Sequence, residues 1–258
     1  MPVAAGLYYF AHEAENFSRP AVILIHGAAG THLYWPPQVR RLPNQRIFAV
    51  DLPGHGKSEG IGHQRIDDYA DEIIEFMKAL KLNSAILVGH SMGSAIALTS
   101  ALKIPKQVFA LGLVGSGARL LVAPELLRSA SDPSTFLDAV HKMNENSYAA
   151  DSSERLKELG EKRTAEIRPT VLYGDFLACN AFNVMDQLSQ ISVPTLIVCG
   201  SEDRMTPLKN SEFLRDNISG AKLEIVPRAG HMVMLEQPEK TTTILNDFLN
   251  SIPYRPGQ

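Results

Sequence analysis

The chain has 258 residues, with 25 basic against 28 acidic side chains, a formal charge of −3, 45% hydrophobic residues and 21% charged ones. These proportions exclude disorder, collagen-like repeats and coiled coil as the main architecture, and a chain of this length buries roughly 75% of its extended surface without staples. The near-neutral balance offers none of the clustered Lys and Arg that nucleic acid requires, so no nucleic-acid partner is expected.

In chain order, short apolar runs that end in glycine alternate with helical patterns. Ala21 to His26 is a β-branched apolar run that meets Gly27-Ala28-Ala29-Gly30, and Arg46 to Leu52 runs into Pro53-Gly54-His55-Gly56. Asp67 to Leu80 opens with two Asp and sets Tyr69, Ile73, Phe76, Met77 and Leu80 on one stripe, the signature of an amphipathic helix. Ser84 to Gly89 is the next strand, Met92 to Lys103 the helix after it, and Val108 to Val114 another strand. Late in the chain come strands at Thr195 to Cys199 and Lys222 to Val226, with helices at Lys209 to Asn217 and Pro238 to Leu249. Continuous apolar runs without alternation suit strands buried on both faces of a parallel sheet. Strand–helix alternation then predicts an α/β, doubly wound, mostly parallel sheet.

The alternation stops once. From Ala118 to about Ser189 there are only helical stretches, at Pro124 to Ala130, Pro133 to Asn146, Ser153 to Ile167 and Pro169 to Phe182. A structureless loop of that length is uncommon, so residues 118–189 are expected to form a small helical unit inserted between 1–117 and 190–258. No apolar run approaches the ~18 residues of a membrane span. Met1 to Gly6 lacks the flank and apolar stretch of a secretory signal, and Cys179 and Cys199 are too few for a disulfide framework and lie in no metal-ligand spacing. A cytoplasmic protein without stable membrane association, metal or organic cofactor is the expectation; monomer and homodimer both stay open.

Gly89-His90-Ser91-Met92-Gly93 fits G-x-S-x-G. Alone, the pattern arises by chance in roughly 9% of such chains; between a predicted strand and a predicted helix it gains weight. A tight strand–turn–helix exposes the serine Oγ at the sheet's C-terminal edge, above the free N–H groups of a helix start. The competing reading is a plain helix N-cap serine. A hydroxyl needs a base and an orienting acid to become a nucleophile. Of the eight His, His231 stands between the last strand and the last helix, where it can return over Ser91. Asp203, in Gly200-Ser201-Glu202-Asp203, is the acid candidate, with Glu202 its confusable neighbour. The alternative acid position after Val114 offers only Gly115-Ser116-Gly117-Ala118. The N–H of Met92 and the small-residue stretch His26 to Gly30 are candidate anion donors.

With Ser91, Asp203 and His231 in that order, and with Asp51-Leu52-Pro53-Gly54-His55-Gly56-Lys57-Ser58 between them and His26-Gly27-Ala28-Ala29-Gly30, the chain resembles the α/β-hydrolase superfamily, most closely small microbial serine carboxylesterases. The resemblance implies the α/β-hydrolase fold with a helical cap inserted after the sixth strand. It also implies Ser91 as nucleophile, His231 as base, Asp203 as its partner, and the N–H groups of Ala28 and Met92 as the oxyanion hole. Ser94 departs from the Gly that many relatives carry, a small change. Relatives that cleave haloalkanes or epoxides place Asp at the nucleophile, so a Ser points to a carbonyl. The expected activity is hydrolysis of small carboxylic esters without a cofactor, and the small net charge agrees with an uncharged substrate. A C–C bond hydrolase, a thioesterase, a cofactor-free perhydrolase or an idle ligand receptor would share these residues. Trp35, Phe136, Tyr148, Tyr173, Phe176, Met205 and Met232 are the candidates for an apolar acyl pocket.

Overall fold

The computed structural model describes residues 2–13 and 19–253. Its strands are β1 (Val3–Ala4), β2 (Leu7–His12), β3 (Ala21–Ile25), β4 (Ile47–Val50), β5 (Ala85–His90), β6 (Val108–Val114), β7 (Thr195–Gly200) and β8 (Lys222–Val226). Among the described residues they form one eight-stranded sheet in the order β1-β2-β4-β3-β5-β6-β7-β8. The pairs β1/β2 and β2/β4 are antiparallel, and every other pair is parallel. The helices are α1 (Pro37–Arg40), α2 (Ile66–Ala79), α3 (Met92–Lys103), α4 (Pro124–Ser131), α5 (Phe136–Ser147), α6 (Glu154–Ala165), α7 (Pro169–Ala181), α8 (Leu208–Asn217), α9 (Val233–Glu236) and α10 (Pro238–Ser251). This is the α/β-hydrolase fold. Among the described residues no helix is long and apolar enough to cross a membrane.

The unbroken apolar strands have a direct cause in the packing. Ile23, Ile25, Phe48, Val50 and Leu87 face α2 and α3 on one side of the sheet. Their neighbours Val22, Leu24, Ile47, Ala49 and Ile86 face α1 and α10 on the other. Every residue of β3 and β4 is buried, and each large one contributes roughly 1.5–3 kcal/mol by leaving water. The expected strand Arg46 to Leu52 is observed over Ile47–Val50, and just beyond it the Asp51 carboxylate turns inward. It accepts the N–H of His32 at 2.6 Å and that of Lys57 at 2.9 Å, while the Asp51 N–H still donates to the Tyr8 carbonyl at 2.9 Å. The helix expected from Pro133 begins at Phe136, because Asp132 Oδ1 accepts from the Ser134 N–H at 2.8 Å and holds a turn there.

Residues 118–189 carry α4 to α7 and leave and rejoin the sheet at one point. Arg119 and Asn183 form an antiparallel bridge, and the Val184 N–H donates to the Ala118 carbonyl at 2.8 Å. Leu126, Phe136, Val140, Leu172 and Phe176 belong to the same apolar cluster as the α2/α3 face of the sheet. The Met232 N–H donates to the Ser147 carbonyl at the end of α5, at 3.0 Å, fastening this segment beside His231.

Candidate active site

Ser91 closes β5 and opens α3 with φ 54° and ψ −118°, a backbone conformation that costs a non-glycine residue about 1–3 kcal/mol. The neighbours hold it there. A Cβ on Gly89 would lie 2.1 Å from the Gly93 carbonyl oxygen, and one on Gly93 would lie 2.3 Å from that of Ile25. The turn is therefore packed backbone against backbone. The Ser91 N–H donates to Val114 at 2.9 Å, and the Ser94 hydroxyl donates back to the Gly89 carbonyl at 2.7 Å. Ser94 thus ties the turn rather than merely fitting it. Ser91 stands at the cap position of α3, yet its hydroxyl makes no capping hydrogen bond.

Asp203 follows β7 and His231 follows β8, and both are buried. His231 Nδ1 lies 2.9 Å from Asp203 Oδ2. The carboxylate also accepts the Met205 N–H at 2.9 Å, the Thr206 N–H at 2.8 Å and the Thr206 hydroxyl at 2.7 Å. Burial alone would push the Asp203 carboxyl up, but the His231 ring and these donors outweigh it and hold the group below the usual carboxylate range. An ionised Asp203 fixes the proton of His231 on Nδ1 and leaves Nε2 as the basic nitrogen. Glu202 points elsewhere, accepting the Ala150 N–H at 3.2 Å. Gly115 leaves room for the ring: a Cβ there would sit 3.1 Å from His231 Nδ1.

Ser91 and His231 line one cavity of about 380 Å³; among the described residues no hydrogen bond joins their side chains. Ala28 lines it too, while Met92 is fully buried behind it. Among the described residues neither Ala28 nor Met92 has an acceptor for its backbone N–H. Of the expected pocket residues, Phe176, Met205 and Met232 line the cavity. The other four do not, a correction to the sequence reading. Trp35 is fully buried on the α1/α10 side of the sheet, Phe136 packs inside the 118–189 helices, Tyr148 turns its hydroxyl toward Gly160, and Tyr173 packs against the core. Each is an aromatic near the site in sequence whose large apolar area is better satisfied in the core. Cys179 also lines the cavity, but burial, and then the Asp175 charge, push its thiol up and make it a poor rival nucleophile. Among the described residues no group of three or more His, Cys, Asp and Glu is placed to hold a metal ion.

Residues 20–238 match the family model of the alpha/beta hydrolase fold. The chain belongs to that family. As an α/β hydrolase it is 27% identical over 239 residues to a 3-oxoadipate enol-lactonase of Acinetobacter baylyi, covering 90% of each protein. It is 31% identical to a thermophilic esterase of known structure, with a TM-score of 0.81 over 95% of this chain and 98% of the other. An enol-lactonase from Burkholderia xenovorans shares the fold at a TM-score of 0.86 and 23% identity, over 95% of this chain and 96% of the other.

This α/β hydrolase also carries a buried polar cluster that the sequence reading missed. Asp175, on α7, accepts the Ala29 N–H at 2.9 Å and the Tyr69 hydroxyl at 2.6 Å, and meets His55 Nε2 at 2.8 Å. It therefore clamps the loop bearing Ala28 to the loop after β4 and to α2. Burial would lower His55, but the Asp175 charge and hydrogen bond, with the Pro53 carbonyl, raise it above its ordinary value. A signal was present: Asp175 is the sole charge in the helix Pro169–Ala181, and a lone charge in an apolar helix needs a partner.

Proposed function

We propose that this α/β hydrolase cleaves carboxylic esters through an acyl-enzyme, with Ser91, His231 and Asp203 as its catalytic triad. His231 Nε2 takes the Ser91 proton as Oγ attacks the carbonyl carbon, and the carbonyl oxygen becomes an oxyanion. The N–H groups of Ala28 and Met92 receive that oxyanion, an interaction worth a few kcal/mol of barrier. The alcohol departs with the proton from His231; a water then gives its proton to the same nitrogen and attacks the acyl carbon, and His231 returns that proton to Ser91 Oγ as the acid is released. Asp203 holds the ring in the required tautomer and balances its transient positive charge. Residues 118–189 act as a cap that shelters the acyl-enzyme.

The observation that carries this reading is the buried 2.9 Å contact between Asp203 and His231, whose ring lines the same cavity as Ser91. The uncapped hydroxyl of Ser91 on a strained turn supports it, since a merely structural serine gains nothing from that geometry. The enol-lactonase and esterase relatives support the ester class, a lactone being a cyclic ester. The test is hydrolysis across ethyl esters and lactones of increasing acyl length, with matched thioesters and β-diketones. Turnover of the oxygen esters or lactones above the others is expected. Exclusive turnover of β-diketones or thioesters, or none at all, would contradict it.

A further inference from the structure

We propose that the cavity beside Ser91 takes an ester or lactone bearing an ionised carboxylate, and that Arg119 binds that carboxylate. The proposal rests on the ester-hydrolase reading and names the substrate class of the same site. The chain as a whole carries an excess of acid, 28 acidic against 25 basic residues, yet the cavity reverses that sign. Arg119, Lys142 and Arg204 line it, while Glu125 is the one carboxylate besides them among the described lining residues. An uncharged substrate would gain nothing from this inversion. A cation-lined mouth raises the local concentration of an anion and speeds its capture.

The three cations are not equally free. Lys142 Nζ lies 3.2 Å from Glu145 and is partly neutralised. Arg204 spends its guanidinium on the main chain, donating to the carbonyls of Glu145 and Tyr148 and holding the end of α5. Arg119 has no acceptor among the described residues, so all its donors remain available. A guanidinium offers a carboxylate two parallel hydrogen bonds, a geometry a lysine cannot match.

Arg119 stands close in the chain to the catalytic edge of the sheet. It lies four residues beyond Gly115, whose Cα backs onto the His231 ring, and four residues of chain reach at most about 14 Å. Leu120, Leu126, Met143 and Phe176 supply apolar wall in the same cavity. A reactive carbonyl at Ser91, a short apolar spacer and a terminal carboxylate meet these features in turn. Half-esters of short dicarboxylic acids, and lactones carrying a carboxylate, have that pattern.

The test compares monoethyl glutarate with ethyl valerate, which differ only by a carboxylate in place of a methyl group. The expected result is a higher kcat/KM for the half-ester. Its ratio over ethyl valerate should fall on the order of tenfold to a hundredfold in Arg119→Met. It should recover in part in Arg119→Lys and shrink as salt is raised. Calorimetric binding of monoethyl glutarate to Ser91→Ala needs no turnover, and adding Arg119→Met should weaken it by a similar factor. An unchanged ratio together with unchanged binding would overturn the proposal. Turnover of both esters without preference would overturn it and leave the hydrolase reading standing. Arg119-dependent binding with no turnover of either would support it and overturn the hydrolase reading.

Discussion

Replacing Asp175 with Asn removes one charge and almost no volume from the centre of the molecule. Both Asp175 and its partner His55 have side chains with no solvent exposure. The carboxylate serves three donors: the Ala29 N–H and His55 Nε2 on one oxygen, the Tyr69 hydroxyl on the other. An amide has one acceptor oxygen, so its NH₂ group must confront either the first pair or Tyr69. Tyr69 already receives the His63 N–H at 2.9 Å, so its own proton would lose its acceptor. Breaking a buried pair from one side typically costs about 3–5 kcal/mol. For a domain of this size each kcal/mol moves Tm by about 2–4 °C, so Asp175→Asn should lower Tm by about 6–20 °C. The Ala29 N–H is the neighbour of the proposed oxyanion donor Ala28, so kcat should also fall at a temperature where the variant is folded. Calorimetry and urea unfolding measure the first effect, steady-state kinetics the second. A Tm within 2 °C of wild type would refute the inferred burial energetics.

Three further predictions follow from the site. Gly93→Ala should destabilise by several kcal/mol or prevent folding, because the new Cβ would lie 2.3 Å from the Ile25 carbonyl oxygen, a rigid backbone atom; soluble expression with wild-type Tm would contradict this. Asp203→Asn should lower kcat by orders of magnitude through the wrong His231 tautomer, whereas Glu202→Gln should leave it near wild type; the reverse pattern would move the acid role to Glu202. Stability should drop on acidification below about pH 6.5. Burial, with His55 adding to it, pushes His26 down to about 4, and burial, then His231, pushes His90 down to about 3. Both are neutral when folded but take up protons near pH 6.5 when unfolded, so each subtracts up to about 1.4 kcal/mol per pH unit below that point. His55, raised in the fold, acts oppositely: its contribution is complete below about pH 6.5 and fades as pH climbs through its raised value. Urea midpoints that stay flat from pH 6.5 to 5 would contradict the histidine assignments.

The parallel strands were legible because they are buried on both faces, and a run such as Ala21–Ile25 needs no partner to be recognised. The first two strands were not. Val3–Ala4 is two residues long, and Leu7–His12 is only partly buried beside the sheet's antiparallel edge, so neither shows a continuous apolar run. Ser91, Asp203 and His231, the proposed triad, could be singled out in the sequence because each follows a parallel strand, β5, β7 and β8 in turn. The pocket was legible only at Phe176, Met205 and Met232, because its other walls come from segments distant in sequence: Arg119 precedes α4, Lys142 lies on α5 and Arg204 follows β7. Trp35 misled because an aromatic just beyond a loop fills the core as readily as a binding site, and here it lies under the sheet. The inverted charge of the cavity was hidden by a chain-wide sum.

The role of Ser91 is tested most directly by covalent labelling with a serine-reactive fluorophosphonate, read by intact mass and peptide mapping. One label per chain on Ser91, absent from Ser91→Ala and slowed in His231→Ala, is the predicted result. Labelling that persists unchanged in Ser91→Ala would contradict it.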